Sequence, residues 1–322
     1  MTKQEFEQRN EPAWRRLEWL VDGLESGRKD TAVAEVPALF RQACHDLTLA
    51  EHRMYGLALC ERLNELIIRA YRQLYRAHQP WGARVVSFFV TGFPRAVRRD
   101  WKLFWWAFLF FWGPFFALAF SAHHDPRWVE SVLGSEGMSA MESMYSGGEA
   151  VEKMREKFDS NFQMFGFYIM NNVSIDFKCF AGGIVYGVGA LLVLLFNGLQ
   201  IGAATGYVVE NCNPEAFFKF TAGHSSWELL GAVISGMAGM KLGLAALFPG
   251  RFRRAEAIRQ SAKAALPLIL GAAAMTVVAA MIEGFWSAQS LPPSVKYSFG
   301  IFWWVFLAVY FSVSGRRSQA LE

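Results

Sequence analysis

LFWWAFLFFWGPFFALAF, residues 103–120, runs eighteen residues without a charge, and that stretch decides the fold class. A hydrocarbon core of about 30 Å needs about 20 apolar helical residues, so the segment reads as a transmembrane helix. Further apolar stretches of comparable length follow at 177–196, 227–248, 264–286 and 297–313. Between 177–196 and 227–248 lies a shorter one, Leu199–Val209, eleven residues long and entered through Asn197-Gly198, which reads as a tight turn. At about 1.5 Å per residue, eleven to fifteen residues reach only about 16–22 Å. This third crossing is therefore expected to be short, tilted or re-entrant, and sheltered by other helices. The chain is expected to be an all-α, polytopic integral membrane protein with about six transmembrane helices.

Composition alone would not establish this, because a soluble protein can also reach 53% hydrophobic residues. The segregation of charge does establish it. Most charged residues precede Lys102 or fall in short runs between the apolar stretches. Twelve Trp suit a bilayer protein, because indole rings favour the headgroup interface. The net charge of +4 sits beside the spans, a pattern that fits anionic lipid headgroups as partners better than nucleic acid. The first twenty residues carry charge throughout and lack the apolar core of a signal peptide. Cys44, Cys60, Cys179 and Cys212 form no CxxC pair or metal-ligand spacing and read as reduced thiols.

The basic loops set an orientation. Arg95, Arg98, Arg99 and Lys102 precede the first span; Arg251, Arg253, Arg254, Arg259 and Lys263 join the fourth to the fifth; Arg316-Arg317 follow the sixth. The positive-inside bias puts all three on the cytoplasmic side, which requires the short third stretch to cross. Both termini are then cytoplasmic. The acidic stretch His123–Asn172 and the loop Ser287–Lys296 lie outside.

Ahead of the spans, three amphipathic helices are expected. The first begins near Pro12 with Trp14, Leu17 and Leu20 on one face; Asp30-Thr31 caps a second, with Leu39, Phe40 and Leu47; a third runs from Leu57 to His78. Such a set suggests an antiparallel bundle. Gln79-Pro80-Trp81 breaks the pattern, and the block around Val85–Val90, flanked by arginines, reads as a helix lying in the interface. The domain reading is 1–100 for the cytoplasmic helical domain and 101–314 for the membrane domain, with an extracytoplasmic segment at 122–172. Its middle is read as helices broken at Ser146-Gly147-Gly148. Residues 315–322 form a tail.

Two sets of residues stand out within the spans. Gly183, Gly187, Gly198, Gly202, Gly206, Gly239 and Gly243 recur at four-residue spacing, which lets helix backbones approach closely. Packing within the chain and, as functional readings, a dimer seam or a hinge are all open. The second set is polar. His224 and Glu228 share a helical face, and Asn172, Asp176, Asn197 and Glu283 complete a candidate cluster facing outward. Ser225-x-x-Glu228 is also a capping box, the bland alternative. One His and one Glu are too few ligands for zinc, so no metal or other cofactor is expected. Lys241, inside the fourth span, is expected to snorkel to the cytoplasmic interface. No nucleophile elbow, phosphate loop or dinucleotide fingerprint is present, and no catalytic residue is assigned.

FGFYIMNNVSIDFKCFAGGIVYGVGALLVLLFNGLQIGAATGY (165–207) and GHSSWELLGAVISGMAGMKLG (223–243) resemble the stage II sporulation protein M family (SpoIIM, DUF95). Asn172, Asn197-Gly198, His224 and Glu228 carry the likeness. Ser225 stands where the family usually has Gly. The head resembles that of a longer, non-sporulation branch. The resemblance implies a membrane scaffold for peptidoglycan-remodelling partners, or one associated with MoxR-type ATPases and von Willebrand-like proteins. The leading expectation is a non-enzymatic scaffold of a cell-envelope complex, forming a homodimer through the small-residue faces or the head. The alternative is a transporter or channel for a small solute or ion that uses the His/Glu cluster.

Overall fold

The computed structural model describes residues 2–26, 34–74, 81–125, 127–146, 160–287 and 289–316, and every regular element among them is helical. The chain divides into two compact units, Met1–Trp81 and Gly82–Glu322.

In the first unit α1 spans Lys3–Glu25, α2 Val36–His52 and α3 Leu57–Leu74. Thr2 starts α1 through a capping box: its Oγ1 accepts from Glu5 N at 3.3 Å, and its N–H donates to Glu5 Oε2 at 2.8 Å. Pro12 is therefore interior to the helix, not in its first turn as expected. The capping box moves the start upstream. Phe6, Trp14, Leu17, Val36, Ala43 and Leu63 form one core. Arg62 bonds Glu11 at 3.0 Å, holding that carboxyl below the usual carboxylate range, and Arg69 pairs with Asp22 and Glu25. The expected Asp30-Thr31 cap, the third helix beyond Leu74, the Gln79-Pro80 break and Gly147-Gly148 lie outside the described residues.

One polar contact crosses the core of this unit. Trp14 Nε1 donates to Asp46 Oδ2 at 2.9 Å, and Asp46 is 4% exposed. Asp46→Ala orphans the buried indole N–H. It is expected to cost about 1–2 kcal/mol in denaturant unfolding of the full chain, whereas Asp46→Asn costs less because it keeps an acceptor.

The second unit begins with α4 (Trp81–Ser87), a π turn at Phe88–Gly92 and α5 (Phe93–Arg99). α4 buries none of its residues. α5 buries Phe93, whose ring meets Phe311 edge-on at 5.4 Å and lies over Gly271. The longer helices follow: α6 (Trp101–His124), α7 (Arg127–Tyr145), α8 (Asn161–Gly182), α9 (Val188–Asn211), the short α10 (Pro214–Thr221), α11 (Ser225–Leu247), α12 (Arg254–Met281, continued by a π turn at Ile282–Ser287) and α13 (Pro293–Val313). Among the described residues five helices, α6, α9, α11, α12 with its π turn, and α13, are long and apolar enough to cross a membrane. Their outward faces carry large exposed apolar side chains, such as Trp105, Leu109 and Phe116 on α6 and Ile301, Val305 and Val309 on α13. A surface of that kind needs lipid against it. The chain is a multi-pass membrane protein. α11 is the most enclosed of the five and forms the axis of the bundle.

Contacts at the two ends of the bundle fix the direction of each helix. At one end Lys241 of α11 pairs with Asp100, which caps α6; Ser261 of α12 donates to Lys241 O at 2.9 Å; Arg98 donates to Phe311 O of α13 at 2.7 Å; and Gly187, before α9, abuts Gly243. At the other end His123 of α6 meets Glu210 of α9 at 3.0 Å, Gly284 lies against Phe165 of α8, and His224 opens α11. Thus α6, α9 and α12 run one way and α8, α11 and α13 return. α8 makes the same traverse as the five apolar helices, although its Asn171, Asn172, Asp176 and Lys178 make it far more polar.

The expected second and third crossings need correction. The break between them does not fall at Asn197-Gly198 but at 183–187, inside the stretch read as the second span. Gly187 adopts φ +82°, which only glycine takes freely, and Gly182 meets Gly189 so closely that a Cβ on Gly189 would stand 2.5 Å from Gly182 O. Asn197 stays helical because its Nδ2 donates to Val193 O in the preceding turn, at 2.8 Å. The third crossing is consequently neither short nor re-entrant: α9 is 24 residues long. The second crossing is α8, which starts at Asn161, within the segment read as external.

The glycine rows are used within the chain. A Cβ on Gly198, Gly202 or Gly206 would strike the α6 backbone at Phe111, Phe115 and Ala119, which locks α6 and α9 together as parallel neighbours. Gly183 meets Gly239 and Gly187 meets Gly243, which seats the 183–187 turn on α11. Lys241 does not snorkel to open interface, as expected, but is held by Asp100, and both side chains are largely covered.

Candidate functional site

The site is built where α11 begins and α12 ends. His224 is the N-cap residue of α11, and the N–H groups of Trp227 and Glu228 bond to its carbonyl oxygen at 3.0 and 3.2 Å. No side chain caps this helix, so the expected Ser225–Glu228 capping box does not form. Glu228 is turned instead towards the imidazole, with Oε2 4.0 Å from His224 Nε2. Glu283 arrives from the π turn that ends α12, with Oε1 3.9 Å from the same nitrogen. A π turn adds a residue to the helical repeat and so re-aims the side chains around it, which is why such turns gather at functional sites. All three ligand-type atoms lie within 4.8 Å of one another.

His224 Nδ1 faces Ser287 Oγ at 3.2 Å, and the ring stacks edge-on against Phe220 at 5.5 Å. These contacts leave Nε2 directed at the two carboxylates. Glu283 is 6% exposed, and its Oε2 has no hydrogen-bond partner, though the Tyr168 hydroxyl lies beside the carboxyl. Lys296 is also buried, but its Nζ donates to Ser287 O at 2.7 Å.

A cavity of about 710 Å³ opens beside this group, lined by His224, Ser225 and Glu228 together with Trp112, Gln200, Phe217 and others. Trp112 Nε1 on its wall has no partner. A second pocket of about 20 Å³ lies deeper, lined by Asn172, Asp176, Asn197, Thr276 and again Glu228. It has room for about one water. Thr276 Oγ1 donates to Asp176, and Asn171 Nδ2 donates to Asn172 Oδ1 at 2.7 Å. Glu228 therefore faces both spaces and joins the two polar groups.

All six residues of the expected polar cluster line these two adjoining spaces or the trio between them. Their depth differs from the expectation. Asp176 lies deep among the helices, while Glu210, at the end of α9, lies apart from the cluster and pairs with His123. Sequence reasoning missed Ser287, Tyr168 and Thr276. No local spacing could find them, since Ser287 lies 63 positions from His224 and Thr276 lies 100 from Asp176.

Together these features define a polytopic α-helical membrane protein with a buried polar centre and an open cavity beside it. A family model described as Stage II sporulation protein M matches residues 107–288, more than half of the chain, so the chain belongs to that family. A second model, a domain of unknown function (DUF8413), matches residues 4–76. No curated protein and no solved structure matches the chain.

Proposed function

We propose that this chain is a non-enzymatic membrane protein that takes a small cation into its bundle, in the manner of a transporter or channel. The observation that carries this reading is a polar centre inside the bundle: His224, Glu283 and Asp176 are buried, and the half-buried Glu228 lines, with His224, a cavity of about 710 Å³. Ionisable groups inside a membrane bundle are costly, and a protein that only tethers partners gains nothing from them. The basic ends of the bundle face the cytoplasm of a bacterial inner membrane, with both termini inside. His224, Glu228 and Glu283 then sit towards the outer end.

The test is flux. Proteoliposomes holding the full chain and an ion-sensitive dye should take up cations under an imposed potential. Glu228→Gln and Glu283→Gln should reduce uptake to that of protein-free vesicles. Equal flux in the wild type and both variants, or no flux in the wild type, would count against the reading.

The scaffold reading is supported by a different observation: residues 1–81 form a compact unit with their own core, matched separately from the membrane unit. In this reading the head recruits a partner, of which MoxR-type ATPases, von Willebrand-like proteins and peptidoglycan-remodelling proteins are the candidates from family resemblance. Of the two expected dimer seams the head is the one left, because the glycine faces are filled within the chain. Affinity capture that recovers the same partner with and without residues 1–81 would argue against it.

A further inference from the structure

The geometry points to a binding site for a divalent transition-metal ion, of the zinc class, formed by His224, Glu228 and Glu283. The inference rests on reading this cluster as the functional centre, and it names the ligand class.

Ligands around zinc sit at about 2.0–2.2 Å, so donor atoms on adjacent corners of a tetrahedron are about 3.3–3.5 Å apart. His224 Nε2 lies 4.0 Å from Glu228 Oε2 and 3.9 Å from Glu283 Oε1. Closing on an ion needs each side chain to move by only a few tenths of an ångström. Neither carboxylate is within hydrogen-bonding distance of the imidazole nitrogen, so the trio is not a satisfied hydrogen-bonded cluster. Glu283 Oε2 is buried without a partner. That is the second, independent sign that a ligand belongs here, since a buried carboxylate oxygen ordinarily has a donor.

Two further features fit a metal. Ligating histidines hold their other ring nitrogen in a hydrogen bond, and Ser287 Oγ occupies that place at Nδ1. Charge also closes locally: one neutral imidazole and two carboxylates around a doubly charged ion leave no net charge on the trio. Lys296, the nearby buried cation, is occupied by the Ser287 carbonyl oxygen and does not neutralise the carboxylates in its place. Mixed nitrogen and oxygen donors suit zinc, manganese or ferrous iron over calcium or magnesium. Three protein ligands beside a cavity leave a position open for water or another guest.

The full chain in nanodiscs, stripped with a chelator and dialysed against zinc, is expected to hold one zinc per chain by elemental analysis. Cobalt in its place should give the absorption bands of a low-symmetry site. Glu228→Gln and Glu283→Gln should abolish stoichiometric binding. Ser287→Ala, which acts only by positioning His224, should weaken it by about 10–100-fold. Size-exclusion profiles identify any variant that fails to fold, and Ser287→Ala then carries the comparison. Substoichiometric zinc in the wild type overturns the proposal, as does stoichiometric zinc in the folded variants, which would place the ion on other thiols or imidazoles. The two readings fail separately: flux that depends on Glu228 without zinc binding sinks the metal site alone, and zinc binding without flux sinks the transport reading alone.

Discussion

Gly243→Ala should destroy the membrane unit's stability, at a cost of about 3 kcal/mol or more, even though alanine is the better helix former by about 1 kcal/mol. Gly243 lies in the most enclosed helix, and a Cβ there would stand 1.9 Å from Gly187 N, 2.3 Å from Gly187 Cα and 2.4 Å from the Tyr186 carbonyl carbon. All three neighbours are backbone, so no side-chain rotation relieves the clash. The turn cannot back away either, because Gly187 is held in the left-handed region against Met240 and Gly183 at the start of the turn seats against Gly239. Separating α11 from the 183–187 turn would therefore loosen the junction of α8, α9 and α11 together. Gly166→Ala is the control. That glycine lies in α8, and a methyl group there would have nothing within 4 Å, so alanine should be neutral or mildly stabilising. Thermal unfolding of both variants in detergent, followed by the loss of the monodisperse peak, checks the pair. Equal behaviour would mean that the close backbone contact does not limit stability.

The same contact explains what can and cannot be read in the sequence. α6, α12 and α13 are legible because each presents an uninterrupted apolar run, and α11 because only Glu228 and Lys241 interrupt its own; hydropathy is a local property. α8 is not, because its polar residues face partners supplied by other helices: Asp176 takes its hydrogen bond from Thr276, and Asn172 faces a pocket shared with Glu228. A window over α8 sees the polarity and cannot see its satisfaction. The misplaced turn has a similar origin. Asn-Gly favours turns in water, but Asn197 is satisfied by its own helix and Gly198 is there for the α6 backbone. The paired glycines at 182–189 have the spacing of a packing face and are the actual break. For the site, the i,i+4 spacing of His224 and Glu228 is visible in the sequence. The π turn that brings Glu283 to them is not, since its wide register has no signature in residue type.

Replacing Glu283 with leucine should stabilise the protein, by about 1–4 kcal/mol, while abolishing the function of the site. The carboxyl is 6% exposed, one of its oxygens has no partner, and it lies 3.9 Å from an imidazole and near a second carboxyl. Groups so placed are held at a cost in folding free energy, which an apolar side chain of similar volume avoids; the Tyr168 hydroxyl loses its acceptor in the exchange, which offsets about 1 kcal/mol of that gain. A structural carboxyl behaves in the opposite sense: if Glu283 anchored the α12 π turn, its removal would orphan donors and cost about 1–3 kcal/mol. The sign of the change therefore separates a residue kept for function from one kept for the fold. The measurement must be made with chelator present, because an ion bound only to the folded wild type would add stability by mass action and mask the gain. Unfolding of wild type and Glu283→Leu in metal-free nanodiscs, set beside zinc content and cation flux of the same samples, gives both readings. A leucine variant that is more stable, takes up no zinc and passes no cation fits a site whose residues trade stability for activity. A variant less stable than the wild type would make the trio a structural brace and remove the main support for the transport reading.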